Sequence, residues 1–212
     1  MGFVRAIARN DRTRVSILLA GAPELALARL EVGATRHEAE AYFLDEIDHY
    51  VYSGDTALHI AAAAYQAGVA RELVDAGASI ATANRRGAQP LHYAVHGIPG
   101  SAHWDPDAQR DTVAYLVEQG ADPNAADANG ATPLQLAVRN RCAAAVEALL
   151  DAGADPQATN RRGSTAMQLA GWTTGRGGSG SRDARTEQQQ ILRLLDASGR
   201  AEGSGTARPG AR

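Results

Sequence analysis

The sequence predicts an all-α solenoid of stacked helix–turn–helix repeats, and three observations predict it. Four segments share one pattern: Gly54-Asp55-Thr56-Ala57-Leu58-His59-Ile60-Ala61, Gly87-Ala88-Gln89-Pro90-Leu91-His92-Tyr93-Ala94, Gly130-Ala131-Thr132-Pro133-Leu134-Gln135-Leu136-Ala137 and Gly163-Ser164-Thr165-Ala166-Met167-Gln168-Leu169-Ala170. Their glycines lie 33, 43 and 33 residues apart, a period at which each unit buries its apolar face only against its neighbours. A second element trails each one, ending at Gly77, Gly120, Gly153 and Gly199 after Leu73, Leu116, Leu149 and Leu194. The punctuation fits helices: Thr56, Thr132 and Thr165 can cap a first helix, Pro90 and Pro133 suit its first turn, and glycine ends the second.

On these residues the chain resembles the ankyrin-repeat family, whose unit of about 33 residues carries a T-P-L-H-x-A signature. The resemblance spans roughly residues 54–199 and implies a β-turn finger plus two helices per unit. It also implies that His59 and His92, which stand on the signature His, form hydrogen bonds between repeats, and that the molecule binds proteins.

The elements follow in order. Residues 1–30 read as a degenerate capping helix pair, Phe3 to Ala8 and then Val15 to Leu19. Arg5, Arg9, Arg12 and Arg14 before that apolar run imitate a secretory signal, but Asp11, Pro23 and Glu24 interrupt it. Residues 31–53 are an insertion. Thr35-Arg36-His37-Glu38 has capping-box spacing, and Ala39, Tyr42, Phe43, Ile47 and Tyr50 recur at helical intervals, so an extra helix is expected over 36–49. Repeats follow at 54–86, 87–129, 130–162 and 163–199. The second carries ten extra residues around Gly97 to Pro106; the fourth carries a Gly-rich insertion from Trp172 to Ser181, before a helix expected near Thr186. Both insertions fall between the helices of their repeats and should project from one side. Residues 200–212 are small and polar, which predicts a disordered tail.

Composition narrows function. The chain of 212 residues has 21 basic and 24 acidic side chains, without the basic excess of a nucleic-acid coat. Every basic residue is Arg, which removes Schiff-base chemistry and the P-loop lysine. The single Cys142 cannot staple the fold by an internal disulfide. No apolar stretch approaches the roughly 20 residues that span a bilayer. A monomeric, cytoplasmic protein without a cofactor is expected, with neither nucleic acid nor membrane as partner.

Catalytic motifs are weak. Gly175-x-Gly177-x-x-Gly180 matches a dinucleotide fingerprint but follows a helix rather than a strand, so a loop is the reading. Glu46-x-x-His49 has di-iron spacing, and His96, His103, Asp105 and Asp107 cluster on a loop, but neither completes a ligand set. Cys142 has no nucleophile motif around it. No catalytic or metal residue is assigned, and the chain is read as a non-enzyme.

The solenoid surface remains. One register position gives Ala63, His96, Arg139 and Trp172, which the family resemblance places on the concave face. Two linkers read Asn-Arg-Arg-Gly, putting Arg85, Arg86, Arg161 and Arg162 at fingertips, where guanidinium pairs can grip carboxylates or phosphates. The expected function is recognition of a partner protein or acidic peptide by Arg85, Arg86, His96, Arg139, Arg161, Arg162 and Trp172. The alternative is a small-molecule or metal-binding protein, conceivably an enzyme, with His96, His103, Trp104, Trp172 and Arg176 around a pocket between the loops at 97–107 and 172–183. A scaffold subunit, marked by a large exposed apolar patch, is a third reading.

Overall fold

The computed structural model describes residues 2–35, 37–172 and 181–203, the side chains of 201–203 excepted. Among the described residues helices follow in pairs: α1 (Gly2–Ala8) with α2 (Arg12–Gly21), α3 (Ala57–Ala63) with α4 (Ala67–Asp75), α5 (Pro90–Ala94) with α6 (Pro106–Glu118), α7 (Pro133–Asn140) with α8 (Ala143–Asp151), and α9 (Ala166–Ala170) with α10 (Arg182–Gly203). First helices stack on first helices from α1 to α9, and second on second from α2 to α10, giving two layers. The core lies between them. Leu58, Leu73, Leu91, Leu116, Leu134 and Leu149 are fully buried there, with alanines such as Ala61, Ala62 and Ala145 where the helices approach closely.

Sequence sets the helix starts through one device. From α3 onward the third residue of each first helix accepts the N–H of its cap: Thr56 to His59 Nδ1 (3.1 Å), Gln89 to His92 Nδ1 (3.1 Å), Thr132 to Gln135 Oε1 (3.3 Å) and Thr165 to Gln168 Oε1 (2.9 Å). With Nδ1 accepting, His59 carries its proton on Nε2 and donates it to the Ala88 carbonyl of the next repeat at 3.1 Å. Gln135 makes the same reach to Ala158 O (2.7 Å) and Ser164 O (3.1 Å). The Nε2 of His92 is buried near the Ala125 and Ala131 carbonyls but completes a bond with neither.

Three of the pairs also share the turn between their helices. Asn10, Tyr65 and Arg141 all take a left-handed conformation (φ 54, 54 and 61°). The N–H that follows each of them returns to a first-helix carbonyl, Asp11 to Ala6 (3.0 Å), Gln66 to Ala61 (2.9 Å) and Cys142 to Ala137 (3.0 Å). The N-terminal pair therefore repeats the geometry of the later ones, although its sequence carries no T-P-L-H.

Between pairs the chain forms fingers. Asn84 Oδ1 accepts from Arg86 N (2.8 Å) and Ala88 N (3.1 Å), and Asp127 and Asn160 do the same two and four residues on. Neighbouring fingers are stitched by Arg85 N to Ser53 O (3.0 Å), Ala128 N to Arg86 O (2.9 Å) and Arg161 N to Asn129 O (3.1 Å). That close stacking leaves no room beyond hydrogen at Gly87, where a Cβ would sit 2.7 Å from Ala128 N at φ +71°.

Three expectations need correction. The helix expected over 36–49 is not formed by the described residues 37–49: Glu40–Tyr42 and Asp45–Ile47 form 3-10 turns, and β1 (Phe43–Leu44) pairs antiparallel with β2 (His49–Tyr50). The cap at Thr35 is made, its Oγ1 accepting from His37 N (3.3 Å) and Glu38 N (3.1 Å), but the backbone turns extended at Phe43 and left-handed at Asp48 (φ 49°). A hairpin buries Leu44 against the repeats and lets Val51 N bond Tyr42 O (2.8 Å), which outweighs local helix preference. Second, α10 begins at Arg182, capped by Ser181 Oγ on Ala184 N (3.0 Å), and Thr186 lies inside it, its hydroxyl on Arg182 O (3.1 Å). Third, α10 continues through Gly203, so residues 200–203 are helical. Residues 204–212 and most of the Gly-rich insertion, 173–180, lie outside the described residues.

Candidate functional site

The hairpin folds onto the first-helix face of the early repeats. Its stem is fastened to the first full repeat by Leu30 N to Asp55 O (2.8 Å) and Gly54 N to Leu30 O (2.7 Å), while Ala34 N bonds Val51 O (2.7 Å) across the base of the insertion. A Cβ on Gly33 would collide with the Tyr52–Ser53 backbone. Its tip is tied by Arg9 Nε to Glu46 Oε1 (2.8 Å) and His103 Nδ1 to Asp48 Oδ2 (3.0 Å). Ala63, expected on the exposed concave row, is buried, and lines a separate cavity together with Glu46 and Ile47 of the hairpin tip. The exposed groove accordingly starts only at the second repeat.

There a cavity of about 510 Å³ opens between the hairpin, α5, α7 and the fingers at Arg86 and Asn129. Phe43, His49, Tyr50, Tyr52, Tyr93 and His96 supply rings to its wall. The His49 ring lies against Tyr93 (4.6 Å) and His96 (4.7 Å), and Phe43 against Tyr50 (4.7 Å). Although the residue as a whole is half-buried on the hairpin, His49 Nε2 itself is sealed from solvent, without a hydrogen bond. Burial holds its pKa well below that of a free histidine and lowers that of His92 too, so both are neutral at pH 7.

Arg86 and Arg139 line the same cavity. The Arg86 guanidinium stacks over the Tyr52 ring at 4.6 Å. Among the described residues no carboxylate lies within ion-pairing distance of either arginine. The lining carboxylates are committed elsewhere, Asp48 to His103 and Asp127 to the backbone N–H groups of Asn129 (2.7 Å) and Ala131 (2.9 Å).

Behind the wall, Asp55 is fully buried and accepts only from neutral groups: Tyr52 N (2.6 Å), Asn84 Nδ2 (2.7 Å) and Tyr93 Oη (2.7 Å). Burial pushes its carboxyl up to about 6 against these hydrogen bonds. The network locks the Tyr93 ring in the cavity wall and holds the Arg-bearing finger through Asn84.

The expected site residues thus separate. His96 and Arg139 share the cavity with Arg86, while Arg85 leaves it, donating to Ala34 O and facing Tyr52 at 5.8 Å. Arg161 and Arg162 are exposed two fingers away. Trp172 is 47% exposed at the next position of the row. His103 and Trp104 turn to the hairpin side: the first pairs with Asp48, and the indole donates to Gln109 Oε1 (3.2 Å). Arg176 lies outside the described residues. The Cys142 thiol, fully buried at the start of α8, is pushed up to about 12 by burial. Among the described residues no three His, Cys, Asp or Glu side chains are grouped to hold a metal ion.

Two family models match this chain, both described as ankyrin repeats, one over residues 4–127 and one over 116–170. The chain belongs to the ankyrin-repeat family. The first match begins inside α1, so it includes the N-terminal pair and the hairpin insertion that the signature residues alone leave out. Ankyrin repeats are generally protein–protein interaction modules and typically non-enzymatic. No curated protein matches the chain. No helix among the described residues is long and apolar enough to cross a membrane.

Sequence reasoning did not find Tyr52, Tyr93, Asp55 or Arg141. Arg141, buried at the left-handed turn after α7, donates to the Trp172 carbonyl (3.1 Å) and so anchors the next residue of the concave row. A positive charge at a turn position gives no hint of burial. Asp55 did carry a signal, an acid between the Gly and Thr of a signature otherwise occupied there by Ala or Ser.

Proposed function

We propose that this ankyrin-repeat protein is a monomeric, cytoplasmic, non-enzymatic binding module that recognises an acidic segment of a partner protein. Its fingertips, Arg85, Arg86, Arg161 and Arg162, and its open groove, His96, Arg139 and Trp172, form the contact surface. The observation that carries the reading is charge without counter-charge: among the described residues none of Arg85, Arg86, Arg139, Arg161 and Arg162 is ion-paired. Such guanidinium groups suit bidentate contact with carboxylates, and an exposed Trp beside them is an anchor of the kind that dominates interfaces. The buried, reduced Cys142 suits a reducing compartment.

The test is a quantitative pull-down from host lysate with the wild type and with a variant carrying Arg85, Arg86, Arg161 and Arg162 all as Ala. A partner held by the wild type and released by the folded variant supports the reading. Equal retention by both baits contradicts the assignment to the fingertips.

A further inference from the structure

The cavity beneath the hairpin has features that a partner-binding face does not need. Its volume of about 510 Å³ falls within the range of small-ligand sites, about 300–1,000 Å³. Its walls are ring faces, with Leu136 and Ile98 as further apolar contacts. Its uncommitted charge is wholly positive. Asp48 and Asp127 line it but their oxygens are engaged, whereas Arg86 and Arg139 make no ion pair among the described residues, Arg86 feeling Asp55 only through the wall. We propose that this cavity binds an aromatic carboxylate, the ring among the aromatic walls and the anion between Arg86 and Arg139.

A free aromatic acid and the last residue of a peptide present the same ring and carboxylate, so either source suits this lining. Stacking on Tyr52 orders the Arg86 guanidinium before a ligand arrives, which lowers the entropic cost of engaging it. The buried Tyr93, held by Asp55 and Asn84, keeps one wall fixed. A cationic ligand would meet Arg86 and Arg139 while the lining carboxylates Asp48 and Asp127 are already hydrogen-bonded, and an aliphatic one would leave the rings unused. The inference does not require the partner-binding reading to hold.

Isothermal titration of the purified full chain tests it, with N-acetyl-tryptophan, N-acetyl-tryptophan amide and an octapeptide ending in tryptophan. The variants are Arg86→Gln, Arg139→Gln and, as a control outside the cavity, Arg161→Gln. All three positions are exposed, and circular dichroism verifies the fold. The free acid should bind one site, and the amide about tenfold or more weaker, the loss expected for one charge-assisted hydrogen bond. Arg86→Gln and Arg139→Gln should each weaken the acid by a similar factor, while Arg161→Gln leaves it unchanged. Binding of the peptide alone, with the same loss in both cavity variants, supports the chemistry and identifies the source as a chain end. Acid and amide binding alike, cavity variants binding like wild type, or no heat from any probe in the millimolar range overturns the proposal.

Discussion

Replacing Asp55 by Asn should change how stability depends on pH more than it changes the fold. The carboxyl is raised from 3.8 to about 6 by burial, so the folded state holds a proton that the unfolded state releases. The sign follows: between those values the folded chain binds more protons, and stability falls as pH rises. A shift of about two pH units corresponds to about 3 kcal/mol in full, and about 2 kcal/mol of it falls between about pH 4.5 and pH 7.5. Histidine acts in the opposite direction. His59 is lowered to about 4 by burial, so its contribution is lost as pH falls from the unfolded value near 6.5 toward 4. Histidine titration is common to both proteins and cancels when wild type is compared with Asp55→Asn. Urea unfolding of both at several pH values therefore isolates Asp55: wild type should lose about 2 kcal/mol relative to the variant on going from about pH 4.5 to 7.5. Parallel curves would refute a carboxyl whose burial outweighs its hydrogen bonds and the nearby Arg86 charge.

Other outcomes follow from packing and backbone. Leu149→Ala removes a fully buried side chain of α8 and should cost about 2–5 kcal/mol by thermal or denaturant unfolding; an unchanged midpoint would contradict the two-layer stack. Gly87 and Gly163 have nearly the same φ, +71 and +73°, but a Cβ meets Ala128 N at 2.7 Å at Gly87 and nothing within 4 Å at Gly163. Gly163→Ala should then cost about 1–2 kcal/mol of left-handed strain and Gly87→Ala clearly more, and equal losses would count against the stitched fingers. Changing Arg85, Arg86, Arg161 and Arg162 together to Ala should keep helical circular dichroism and shift the midpoint little, since exposed charges contribute little to stability.

Much of the fold was legible because each repeat writes its boundaries locally. Thr or Gln before a helix with His or Gln on its third residue is a capping device that a sequence displays openly. The same register placed His96 and Arg139 beside each other in the groove. What could not be read depended on residues far apart. The spacing of Tyr42, Phe43, Ile47 and Tyr50 suits a helix, and only the apolar surface that Leu44 and Val51 cover decides for a hairpin. Asp55 and Tyr93 meet across 38 residues, and no local pattern announces that contact. The start expected near Thr186 lies inside α10, which begins at Arg182, where Ser181 rather than Thr186 supplies the cap.

Site-specific photo-crosslinking tests whether partners are received on the groove side. A photo-reactive residue is placed at Arg139, at Trp172 or at Ala114, the last exposed on the second-helix layer. Groove-side binding should give one common protein adduct from positions 139 and 172 and none from 114. An adduct formed from 114 while 139 and 172 stay bare would contradict it.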